Sequence, residues 1–225
     1  MRKLEKLKEK LTYHVVDSTA LLIESTPVYA LFEKGVAKMS DDMSINARIF
    51  AGGLCFLGMG WLYSQGRDLS KKIFKITDKT KEKIQGAHDV AYNAVFNLAL
   101  APPIYAVSQV LAKEDLDLTK IAVGTGIAMI LGAVNGAPQG YVVDTFRDLV
   151  GLKSCERKTY PKIIKKRSSK FKKSLAGGLA IATIGLTGLI YSLTPDNKPQ
   201  QNLQTRPAIE QTSNYQNDSL ENLVV

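Results

Sequence analysis

Residues 121–143 read IAVGTGIAMILGAVNGAPQGYVV, with a small residue at every fourth position: Gly124, Ala128, Gly132, Gly136 and Gly140. In a helix such positions drift only slowly around the axis, so they form one nearly bare stripe. In water each glycine would cost about 1 kcal/mol against alanine. In a bilayer the same stripe lets a second helix approach backbone to backbone. The segment is therefore expected to be a transmembrane helix with a tightly packed partner, and Gly124, Gly132, Gly136 and Gly140 are the packing positions.

Working outward, four more apolar segments lie near residues 14–32, 47–65, 88–112 and 174–193. Each has the roughly 20 residues that a helix needs to cross a hydrocarbon core. The segment 174–193 is free of charge; 14–32 contains Asp17 and Glu24. The mean hydropathy of −0.06 averages these spans with basic connectors and a polar tail. The expected fold is all-α and polytopic. It comprises a basic amphipathic segment (1–13), a four-helix core (14–152), a basic connector (153–173), a fifth transmembrane helix (174–193) and a disordered polar tail (194–225). Two carboxylates interrupt the first apolar run and no cleavage site follows it, so it does not read as a signal peptide.

Charge orients the spans. Most of the 30 lysines and arginines fall in the N-terminal segment, in the connector from Arg67 to Lys83, and in the stretch from Arg147 to Lys173. The other two connectors carry Asp41, Asp42, Glu114, Asp115 and Asp117. Basic connectors mark the cytoplasmic side. Five spans with a cytoplasmic N-terminus and an outside C-terminus satisfy every connector, in a plasma (inner) membrane protein. The net charge of +9 abuts the spans on one side, where anionic lipid rather than nucleic acid is the expected partner. Cys55 lies in a span and Cys155 in a cytoplasmic connector, so they cannot form a disulfide.

The chain repeats itself. VVDSTALLIESTPVYAL (15–31) aligns without a gap on AYNAVFNLALAPPIYAV (91–107), pairing Asp17 with Asn93, Pro27 with Pro103 and Tyr29 with Tyr105. The following spans end in Arg67-Asp68-Leu69 and Arg147-Asp148-Leu149. Two parallel two-helix repeats are expected, an arrangement found in small transporters. Pro27 and Pro103 cannot donate to the carbonyls of Ile23 and Ala99, so both are expected to kink their helices and free an acceptor.

Ionisable groups inside a span are costly and usually face an interior or a cavity. Asp17 and Glu24 share one helix face, two turns apart. Asp89, Asn93 and Asn97 form a polar stripe on the third span. These five are the candidate substrate or proton pathway. The plainer alternatives are interfacial anchoring for Asp17 and Asp89, and interhelical hydrogen bonding for Asn93 and Asn97. Arg48, at the outer start of the second span, is expected to snorkel. Asp144 and Arg147 form an i,i+3 pair, read as anchoring. No nucleophile triad, phosphate-cradling loop or metal-ligand cluster occurs, so neither catalysis nor a cofactor or metal is expected.

Residues 14–152 resemble the small bacterial L-alanine exporter family (AlaE-type). The likeness rests on Val-Val-Asp-Ser-Thr-Ala (15–20), Trp61-x-Tyr63-x3-Arg67-Asp68-Leu69, Pro103-Ile-Tyr105, Gly132-Ala-Val, and Gly140-Tyr141-x2-Asp144-x2-Arg147-x-Leu149. It implies a four-helix inner-membrane exporter of L-alanine and other small amino acids or dipeptides, driven by the proton motive force. Asp17, Tyr63, Arg67, Asp68, Asp144 and Arg147 match the family pattern; Glu24 does not. The chain departs from the pattern in an insertion around Ala137-Pro138-Gln139, in Gly52-Gly53 where the family tends to have a proline, and in the fifth span and tail.

The leading expectation is a proton-coupled secondary exporter of L-alanine or another small neutral amino acid, not an enzyme. Its two repeats would rock across the glycine stripe, and its size suits a homo-oligomer. The alternative is a non-transporting scaffold whose basic loops bind lipid or a protein partner.

Overall fold

The computed structural model describes residues 2–36, 40–111 and 116–196. The expected tail lies outside the described residues from 197 onward. No strand occurs among the described residues. The elements are α1 (Arg2–Gly35), α2 (Asp41–Leu54), a π-helical turn (Cys55–Met59), α3 (Gly60–Ile73), α4 (Glu82–Leu111), α5 (Leu118–Val150), the single turn α6 (Lys162–Lys165) and α7 (Ser169–Leu193).

Burial shows what solvent these helices are built for. The largest fully buried side chains include Arg67, Arg147, Lys34, Asp17 and Asp89, whereas Leu57, Val134 and Ile184 are each at least 74% exposed. A water-soluble chain sorts its residues the other way. In lipid, polar groups must find partners inside the bundle, and apolar ones may face out. Among the described residues, four stretches are long and apolar enough to cross a membrane: Leu4–Gly35, Ser44–Ile73, Ile121–Val150 and Ser169–Leu193. The chain is thus all-helical, with the make-up of a multi-pass membrane protein. α4 has 30 residues, about 45 Å at 1.5 Å per residue. Residues 90–111 of α4 carry no charged side chain.

Three local features stand beside the sequence reading. Residues 2–13 of the basic segment are the first part of α1, a single helix of 34 residues. The prolines do not interrupt their helices, since α1 runs through Pro27 and α4 through Pro103. The interruption falls in the second span, where Gly58 has φ 132°. That conformation is open to glycine and strained for other residues. α1 covers the break. Its Ser18 hydroxyl donates to the Cys55 carbonyl at 3.0 Å, and its His14 Nε2 lies 2.8 Å from the Phe56 carbonyl. A side chain on Gly60 would collide with Ser18, so the two helices are in close contact there.

α4 lies antiparallel along α5, the most extensive helix pair in the molecule. A Cβ on Gly132 would sit 3.0 Å from the Asn93 carbonyl, and one on Gly136 would sit 2.6 Å from the Asp89 carbonyl. A Cβ on Gly140 would strike the Asp89 carboxylate. Gly124 is half-buried further along α5. The stripe therefore joins α5 to α4, its own hairpin partner. Both sides of this contact belong to α4 and α5, the paired helices of residues 82–150. α7 is not peripheral: it packs on both α1 and α5.

Candidate functional site

Arg67 on α3 and its counterpart Arg147 on α5 organise one end of the bundle. Arg67 is fully buried and forks onto two carboxylates. Its Nε and Nη2 donate to Asp89 at 2.8 and 2.9 Å; its Nη1 and Nη2 donate to Asp144 at 2.8 and 2.9 Å. Nη2 also reaches the Gly140 carbonyl at 2.9 Å. The planar guanidinium suits such two-pronged pairing, which a lysine could not reproduce. Lys71, one turn further along α3, lies 3.3 Å from Asp144. Arg157, from the loop after α5, completes the cluster: Nη2 meets Asp89 at 2.5 Å and Nε meets Asp144 at 2.9 Å.

Arg147 builds a second cluster. Its Nε and Nη2 each donate to Asp17 at 2.7 Å, and its Nη1 donates to Asp68 at 2.9 Å. Asp144 and Arg147 are therefore not partners of each other, as their i,i+3 spacing suggested. Their side chains diverge to different clusters. The arginine of each half of the chain holds an acid on the other half's first helix: Arg67 takes Asp89, and Arg147 takes Asp17.

Glu24 stands apart. Asn135 Nδ2 on α5 donates to it at 3.0 Å, and among the described residues no cation is paired with it. Asn93 donates to the Gly132 carbonyl at 2.8 Å, and Asn97 donates back to the Asn93 carbonyl at 2.8 Å. Asn93 thus ties α4 to α5, Asn97 bonds within α4, and both line a cavity. Arg48 does not snorkel. It folds back onto Glu33 and lies over the Tyr29 ring at 4.9 Å. The carbonyl freed by Pro27, that of Ile23, accepts from Thr183 of α7 at 3.3 Å, so it does not stand open as an acceptor.

Two cavities flank the Arg67 cluster. One, of about 380 Å³, is lined by Leu22, Arg48, Tyr63, Asn93, Asn97 and Leu131, among others. Tyr63 forms part of its wall; this side chain is 3% exposed, and its hydroxyl has no hydrogen-bond partner. Tyr63 packs edge-on against Tyr92 and Phe96, with centroids 5.4 and 5.1 Å apart. The other cavity, of about 310 Å³, is polar and lined by Asp68, Lys71, Asp144, Arg147 and Arg157, among others. Along α3, Tyr63 borders the first cavity, Arg67 lies one turn on, and Lys71 borders the second. About 12 Å of helix separates the two borders.

Outside the spans, the connector after α5 is tied down closely. Tyr160 donates to Asp148 at 2.7 Å, and the Thr159 amide donates to Glu82 at 3.0 Å. Burial pushes the Cys155 thiol up to about 11. Burial alone would lower Arg157, but the Asp144 and Asp89 carboxylates outweigh it and hold the guanidinium firmly charged.

The candidate residues thus separate. Asp17, Asp68, Asp89, Asp144, Arg67 and Arg147 form the paired clusters, Asn93 and Asn97 border the cavity, and Glu24 stands apart from both. Sequence reasoning missed Arg157, Lys71 and the π-helical break. Arg157 was one cation among many in a basic loop, and nothing local distinguished it. Gly58 was one glycine in an apolar run. No family model matches the chain, and neither does any curated protein or solved structure.

Proposed function

We propose that the protein is a secondary transporter of the plasma (inner) membrane that exports a small neutral amino acid, L-alanine foremost, in exchange for protons. The observation that carries this reading is the pair of cavities with one layer of ion pairs between them. Alternating access needs a site with a thin barrier that can form on either side of it. The larger cavity offers apolar walls with a few polar groups, as small-molecule sites do. An unpartnered buried hydroxyl on Tyr63 leaves a donor for a substrate carboxylate. The helix break at Gly58 places irregular backbone beside this cavity, where it can be tolerated at membrane depth.

Glu24 supports proton coupling. The acids of the inner clusters are each held by arginine. Glu24 has only a neutral amide on it, and that amide can serve either protonation state by turning. In this reading α4 is a fifth crossing, the basic connectors face the cytoplasm, and the C-terminus lies outside. The likeness of residues 14–152 to the L-alanine exporter family supplies the substrate.

The test is counterflow of labelled L-alanine in proteoliposomes, with and without an imposed pH gradient. Exchange that accelerates when protons can run against the amino acid supports the reading. No exchange of alanine or of any other small neutral amino acid would leave the scaffold reading in its place.

A further inference from the structure

We infer that the loop of residues 151–161 is the cytoplasmic gate of the larger cavity, with Arg157 as its latch. This rests on the transporter reading for what passes through, but not for the gate's geometry.

Something in the inner layer must move for the two cavities to connect. The charges themselves show which member can. If Arg67 left, Asp89 and Asp144 would lose their principal partner in a fully buried site, and breaking such a pair is strongly unfavourable. Arg157 is different. On its departure Asp144 and Asp89 keep both forks of Arg67, and Lys71 remains 3.3 and 4.0 Å away. No buried carboxylate is stranded. Arg157 is stranded no more than they are, since it already borders the polar cavity and would swing into water.

The loop has the attachments of a flap. Its root stays with α5: the Cys155 amide and the Tyr160 hydroxyl both bond Asp148, which Lys172 of α7 also holds at 2.7 Å. Its free edge reaches across to α4 through Arg157 on Asp89 and Thr159 on Glu82. These edge contacts are the loop's ties to α4; nearer the root, Tyr13 of α1 donates to the Leu152 carbonyl at 3.4 Å. Releasing the edge contacts lets the loop turn with the end of α5 while the root bonds persist. Cys155 is carried on this loop, 2% exposed and facing the polar cavity, so its accessibility reports the position of the flap.

The experiment uses the full chain in proteoliposomes with Cys55→Ala, which leaves Cys155 as the sole thiol. The rate of its reaction with an impermeant maleimide on the cytoplasmic face is measured with and without Arg157→Gln. A rise of at least tenfold is expected. A second variant guards against misfolding. Thr159→Cys with Glu82→Cys, in a background lacking Cys55 and Cys155, is bridged by a short cleavable thiol cross-linker. The bridge should stop exchange, and reductant should restore it. An unchanged Cys155 rate in a folded Arg157→Gln protein overturns the gate, as does undiminished exchange in the bridged protein. A raised Cys155 rate in a protein that moves no amino acid supports the gate and removes the transporter reading.

Discussion

Asp17 and Glu24 lie on one face of α1, yet their partners make them opposites. Asp17 is fully buried under a two-pronged Arg147. Replacing it with asparagine strands a buried guanidinium, with only Asp68 left to it, and should cost about 3–5 kcal/mol. Asp17→Asn is therefore expected to lower the unfolding midpoint in detergent before any effect on coupling can be read. Glu24→Gln should do the reverse. Glutamine still accepts from Asn135, so the midpoint should hold, while the response of alanine exchange to a pH gradient disappears. Unchanged pH response in Glu24→Gln would remove Glu24 from the coupling. Cys155 offers a pH prediction of its own. With its thiol pushed up to about 11, the reactive thiolate fraction should grow tenfold per pH unit well past pH 9, where an exposed cysteine levels off. Alkylation rates measured from pH 7 to 10 check this. The cost of charge in a span was legible from sequence, and it singled out Asp17 and Glu24. Which of the two has a cationic partner was not. Arg147 is 130 residues from Asp17, and helical periodicity names a face without naming what lies against it.

At the scale of elements, the glycine spacing read correctly as a site of close helix approach, because backbone contact at Gly136 needs every fourth position bare. It could not say which helix approaches. α4 does, so the stripe is the seam of a helix hairpin. Gly136→Leu is expected to destabilise the protein by several kcal/mol, since the Asp89 and Val90 backbone would have to retreat. Leu131→Ile, a volume-conserving change on the same helix, should cost under about 1.5 kcal/mol. Thermal unfolding of both in detergent makes the comparison. The helix break was illegible for a different reason. Proline announces itself in sequence, and Pro27 and Pro103 drew attention to α1 and α4, whose neighbours let the helices continue. Gly58 announces nothing, because glycine is common in membrane helices for packing alone. Its φ of 132° makes a sharper demand than either proline. Gly58→Ala should cost about 1–3 kcal/mol through backbone strain, with no side chain within reach to blame for a clash.

For the molecule as a whole, the open question is how many times it crosses the bilayer, because four apolar helices alone would return the chain to its starting side. α4 decides it. It runs antiparallel to α5 from the Asn93 contact at Gly132 to the Asp89 contact at Gly140, so it shares the depth of a helix that is itself long and apolar enough to cross. If α4 stayed on the surface, α5 would be drawn out with it. If α5 crossed alone, the lysines and arginines between Lys153 and Lys173 would face outward, against the charge rule. Five crossings satisfy both demands. They place Lys79 and Lys158 on one side and Thr205 on the other. Single cysteines at these positions, in a protein lacking Cys55 and Cys155, should therefore label with an impermeant reagent in two groups. In sealed right-side-out vesicles only Thr205→Cys should react, and Lys79→Cys and Lys158→Cys should react after permeabilisation. Labelling of Thr205→Cys on the same side as Lys79→Cys would mean that α4 does not cross. The cavity it borders would then lie at the membrane surface, where no barrier between two compartments could pass through the Arg67 layer.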